Sequence, residues 1–116
     1  MNRDQLLALH QVLCDESRGL MVKKNHDYSG EGDLNPFANL NACVCLGIQP
    51  ETGVLVRIMD KIMRISSFID SGVLAVSDES INDTVKDMIN YSVLLAGMIA
   101  EKKSNATGPG TLEAGK

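Results

Sequence analysis

Apolar residues recur at helical spacing through most of this chain. Between residues 3 and 24, Leu6, Leu9, Leu13, Leu20 and Val22 are set among polar residues, which fits a helix and not an alternating strand. Residues 25–36, NHDYSGEGDLNP, lose the pattern and read as a long polar loop, of a length often found at functional sites. Phe37 to Leu46 reads as a short helix entered at Asn35-Pro36 and stopped by Gly47. Residues 52–70 carry Val54, Leu55, Ile58, Met59, Ile62, Ile65, Phe68 and Ile69. That wide apolar face is expected of a helix in the middle of a bundle, with Thr52 as its cap. Asp70-Ser71-Gly72 breaks it, and Val73 to Val76 make a short apolar link. A last helix, capped by Ser77 or Asp78, runs to Lys103 with Ile81, Val85, Met88, Ile89, Leu95 and Ile99 as its apolar face. The pattern predicts an all-α fold: a compact bundle of three long helices plus one short helix, with a long polar loop between the first two. Residues 1–103 form one domain, and 104–116 are expected to be a disordered tail.

Composition agrees. There is no Trp, and Phe37, Phe68, Tyr28 and Tyr91 are the aromatic residues, so the core is aliphatic, as packed helices prefer. A domain of this size has a marginal core and is expected to form a homo-oligomer. Net charge is -4, which argues against a general nucleic-acid-binding surface. Cys14, Cys43 and Cys45 are an odd set without framework spacing, expected to be reduced thiols of a cytoplasmic protein. They have no recognisable histidine partner, and no catalytic nucleophile is expected. The first residues, MNRDQLLALH, do not read as a signal peptide, and no apolar run is long enough to span a bilayer, so no membrane association is expected.

Charge placement changes the picture most. On the 52–70 helix, Arg57, Lys61 and Arg64 fall at i, i+4 and i+7, one cationic face with Asp60 beside it. Two arginine forks and a lysine suit phosphate oxygens. On the last helix Glu79, Asp83 and Asp87 form an acidic stripe at i, i+4 and i+8, with Asn90 close to the same line. Three readings stay open. The cations face an anionic ligand; or the two stripes neutralise one another as an interhelical ion-pair layer; or the acids hold Mg2+ over a nucleotide. The third is the arrangement of helical nucleoside triphosphate pyrophosphatases, which resemble E-x-x-E on one helix and E-x-x-D on a later one. Here the position three before Asp87 is Thr84, and no earlier E-x-x-E occurs. The metal set is incomplete, so no cofactor is expected unless the Mg2+ alternative holds. His26-Asp27 lacks the further ligands of a metal phosphohydrolase. Asp27 to Ala38 lacks the final bidentate acid of a calcium loop. The loop can instead serve as a ligand lid, with Tyr28 offering a flat face to a base.

In order along the chain stand Lys24-x-x-Asp27-Tyr28, Asn35-Pro36-Phe37, Arg57-x-x-Asp60-Lys61-x-x-Arg64, Glu79-Ser80-Ile81-x-Asp83 and Asn90-Tyr91. This series resembles the small all-helical phage and bacterial family called nucleotide modification-associated domain 1, over about residues 20–100. The resemblance implies a setting in phage nucleotide metabolism more than a defined activity. It gives functional meaning to Asp27-Tyr28 and to Arg57, Lys61 and Arg64; with Lys24, Asn35 and Tyr91 these are the expected ligand-binding residues. The expectation is a nucleotide-binding protein of the host cytoplasm that sequesters its ligand without chemistry. The alternatives are a Mg2+-dependent nucleotide pyrophosphohydrolase using Glu79, Asp83 and Asp87, and a protein-interaction module whose ion pairs are structural.

Overall fold

The computed structural model describes residues 1–29, 36, 37, 40–72 and 80–107, the side chains of 25–29 and 107 excepted. Among the described residues the fold is all-α. It comprises α1 (Arg3–Ser29), a short 3-10 helix (Leu40–Leu46), α2 (Pro50–Ser71) and α3 (Ile81–Thr107).

Helix ends follow local chemistry. Asn2 and Gln5 cap α1 reciprocally: the Gln5 amide donates to Asn2 Oδ1 and the Asn2 amide to Gln5 Oε1, each at 2.9 Å. α1 continues through residues 25–29, which the polar composition assigned to a loop. None of those five is Gly or Pro, so an established helix propagates through them. Residues 30–35 of that expected loop, Asn35 included, lie outside the described residues. The 3-10 helix ends at Gly47, whose φ of 76° places it in the left-handed region. α2 starts two residues earlier than expected, at Pro50, with Gln49 as its extended N-cap; Thr52 lies in the first turn. Gly72 closes α2 with φ 75°, its amide donating to Phe68 O at 2.7 Å. For α3 the cap is Ser80, while Ser77, Asp78, Glu79 and the 73–76 link lie outside the described residues. Residues 104–107, assigned to the tail, are the last turn of α3.

The packing corrects one expectation. α3, not α2, is the middle helix, because α1 and α2 both pack on it. Among the described residues the buried apolar core is Leu40, Val54, Leu94 and Met98, ringed by Met21, Phe37, Ile58, Tyr91 and Leu95. α2 therefore uses the side bearing Val54 and Ile58 against α3. α3 turns Leu94 and Met98 inward, and its expected apolar face is at most half-buried. Two glycines permit close approach. A Cβ on Gly97 would stand 3.1 Å from Phe37 Cζ, and one on Gly53 the same distance from Cys43 Sγ. Small residues there let the 36–46 segment lie against α2 and α3.

Candidate functional site

Two contacts fix how α2 lies on α3. The Arg57 guanidinium carbon is 6.0 Å from the Tyr91 ring centroid, and Lys61 Nζ is 3.0 Å from Asp87 Oδ2. Four residues forward on α2 correspond to four residues back on α3. The helices are thus antiparallel, and one turn of each matches one turn of the other. This register brings the cationic stripe of α2 to the end of the acidic stripe of α3.

The centre of the cluster is Asp87. One carboxylate oxygen accepts from Lys61, and the other is 3.5 Å from Lys24 Nζ on α1. Three helices meet at one carboxylate. The Lys61 and Asp87 side chains are only 13% and 18% exposed, so water screens this pair less than a surface pair. Lys24 is more open, at 43%. Among the described residues, the pairs at this carboxylate carry more positive than negative charge. Two ammonium groups share one carboxylate, and Arg57 stands one turn from Lys61, exposed to solvent. Its distance from Tyr91 is at the outer limit of a cation–π contact, and the residue as a whole is exposed. Arg64, a turn beyond Lys61, is half-buried, and Asp60 is exposed beside them. The arrangement offers a phosphate two kinds of donor: fork-shaped guanidinium N–H groups and lysine ammonium groups.

The other expected residues are placed differently. Asp27 and Tyr28 belong to the last turn of α1 by backbone, and their side chains are outside the described residues, as are Asn35 and Glu79. Asp83 does not join Asp87. Its Oδ2 accepts from the Ser80 amide at 3.0 Å, while its own amide donates to Ser80 Oγ at 3.1 Å. It is the acid of a capping box. Those hydrogen bonds, backbone first, hold its carboxyl below the usual carboxylate range, and Lys86 at 3.5 Å adds to the effect. Lys86 also reaches Glu16 of α1 at 3.5 Å. Among the described residues, no three His, Cys, Asp or Glu side chains converge as a metal-binding group.

Three features were missed in the sequence. His10 stands 3.9 Å from Cys14 Sγ, one turn away on α1, so that thiol does have a histidine neighbour. The i, i+4 spacing was the available signal. Asn90, read as part of the acidic line, is buried and donates to Ser17 O at 3.0 Å, which pins α1 to α3. Beside that contact a groove of about 600 Å³ runs between α1 and α3, floored by Met21, Phe37, Asn90 and Leu94.

The antiparallel α2–α3 pair is also the part of the chain with a known likeness. Residues 51–99 match the family model described as nucleotide modification associated domain 1. The match bears out the resemblance that the motifs carry, over a shorter span than residues 20–100. No curated protein and no solved structure matches the chain. Arg57, Lys61, Arg64, Asp87 and Tyr91 all fall inside the matched domain. Lys24, Asp27, Tyr28 and Asn35 precede it, so the α1 lysine that meets Asp87 comes from outside the matched residues.

Proposed function

We propose that the protein binds a phosphorylated nucleotide at the Arg57–Lys61–Arg64 edge of α2 and sequesters it without chemistry. The observation that carries this reading is the imbalance at Asp87 among the described residues, where one carboxylate serves two lysines and Arg57 stands exposed beside them. A phosphate group supplies the missing negative charge and matches the guanidinium fork. Tyr91, half-buried with Arg57 over its ring, puts an aromatic side chain beside that edge. The family description, which speaks of nucleotide modification, fits a nucleotide better than an unrelated anion. In this reading the setting is the cytoplasm of a phage-infected host, where a signalling nucleotide of the host's defence is a suitable ligand. Sequestration is favoured over hydrolysis because Asp83 and Asp87 are already engaged, one by a helix N-terminus and the other by two ammonium groups.

The test is a thermal-shift panel of nucleotides with and without Mg2+, followed by recovery of the nucleotide from denatured protein. Intact nucleotide is expected, with the shift present without metal and removed by Arg57→Ala. Release of phosphate or pyrophosphate that requires Mg2+ and disappears in Asp87→Ala would overturn sequestration in favour of a hydrolase. No shift with any nucleotide would leave the ion pairs as structural features of an interaction module.

A further inference from the structure

α2 has three longitudinal strips, about 100° apart per residue. Val54, Ile58 and Lys61 face α3. Arg57 and Arg64 lie to one side of that contact. To the other side lies an apolar strip at 4-3-4-3 spacing: Leu55, Met59, Ile62, Ser66 and Ile69. Its four apolar members are between 42% and 73% exposed.

α3 continues this surface. Lys86 and Asn90 turn toward α1, where they meet Glu16 and Ser17. About half a turn away is a second strip at 4-3 spacing, from Ile81 through Met88 to Ile99, half-buried along most of its length and 43% exposed at Ile99. Neither strip contains a charged residue, and each has one serine among its apolar positions. The two helices thus present one uncharged apolar layer on the side away from α1.

We propose that this layer is covered by a second copy of the chain, forming a four-helix layer from two α2–α3 pairs. Three points favour a second copy over another occupant. The spacing is that of helices that pack side by side at shallow angles, and both strips share it. The absence of charge lets the surface meet itself without like-charge repulsion and gives an ionic partner nothing to pair with. The area is also sufficient. At roughly 50 Å² of apolar surface for each half-exposed aliphatic side chain, the layer offers on the order of 400 Å² per copy. The smallest specific, stable protein–protein interfaces, at about 600 Å² per partner, need a similar amount when about 65% apolar. The cationic edge stays on the opposite side of α2, so pairing leaves Arg57 accessible.

Sedimentation equilibrium of the full chain over a micromolar range tests this. The expected mass is twice the 12.5 kDa of one chain. Ile62→Glu and Ile62→Lys should each give helical monomers, raising the dissociation constant by about a hundredfold or more, because each buries an unpaired charge. Mixing the two variants should restore a dimer, which a folding failure would not allow. Val22→Glu, at an exposed position on α1, should leave the wild-type dimer intact. A monomer at 100 µM wild-type concentration would overturn the proposal. So would a dimer that survives both Ile62 variants, one dissociated by Val22→Glu, or a monomer whose α2 layer instead binds phospholipid vesicles.

Discussion

Asp83 and Asp87 stand one turn apart on one helix and do different work. Asp83 turns back to the N-terminus of its own helix, where the Ser80 amide and hydroxyl hold it. Asp87 turns outward across helices and receives Lys61 from α2 and Lys24 from α1. The difference comes from their distance to the helix start. A carboxylate in the first turn finds unpaired backbone N–H groups within reach. One turn later those groups are bonded within the helix, and the side chain must seek partners elsewhere. Matching spacing on a helical face therefore does not make two acids a pair, and Mg2+ would have to draw each from a partner it already has.

The largest expected effect is at Asp87. Asp87→Ala leaves the mostly buried Lys61 without its counter-charge and should cost about 2–3 kcal/mol in denaturant unfolding. That is less than for a fully buried pair, because the site retains some exposure. Lys61→Met should cost less, since an apolar chain of similar length fills the same space. The same variants sharpen the functional reading. Asp87→Asn should tighten binding of a phosphorylated nucleotide in calorimetry, because it removes a negative charge beside the site. Asp83→Asn should leave that affinity unchanged. If Asp87→Asn instead abolishes binding, the carboxylate serves the ligand directly and the charge-imbalance argument fails.

The cap is next in size. Ser80→Ala should cost about 1 kcal/mol and speed amide exchange in the first turn of α3. The Asp83 half of the box should show as a pH dependence. Its carboxyl lies lower in the folded protein than in the unfolded chain, so its contribution is present above the ordinary carboxylate range. That contribution is lost as pH falls through the lowered value. Acid titration of thermal stability should therefore be flatter in Asp83→Asn than in the wild type. An unchanged acid limb would show that the box does not hold in solution.

Much of this was legible in the sequence, for identifiable reasons. The helical class followed from apolar spacing, and the Arg57–Lys61–Arg64 face follows from position on one helix. That the two stripes could pair was also legible, but not which of their members meet. Nothing local says that Lys61 and Lys24 both meet Asp87, or that Arg57 lies over Tyr91, because these depend on how the helices settle in register. The middle helix was misassigned for a related reason. α2 carries apolar residues on most of its circumference, and periodicity alone cannot tell burial within one chain from burial against another. The capping boxes were readable, since Asn2-x-x-Gln5 and Ser80-x-x-Asp83 both have the required spacing. Ser77 and Asp78 are also cap residues by type, but neither has an acid or Gln three positions later.

Thr84 separates the two acids most sharply and carries the smallest expected effect. It occupies the position three before Asp87, where the helical pyrophosphatase pattern has an acid. Here the residue is completely buried, and among the described residues its hydroxyl has no hydrogen-bond partner. An acid side chain there would be placed at a fully buried position, where an unpaired carboxylate is costly. Replacing the hydroxyl by a methyl removes an uncompensated buried polar group while keeping the branched shape. Thr84→Val should therefore stabilise the protein by about 0.5–1 kcal/mol in denaturant unfolding, with nucleotide affinity unchanged. If the variant is instead destabilised and loses nucleotide binding, the hydroxyl belongs to the site. Asp83 and Asp87 would then have to be read with Thr84 as one polar wall.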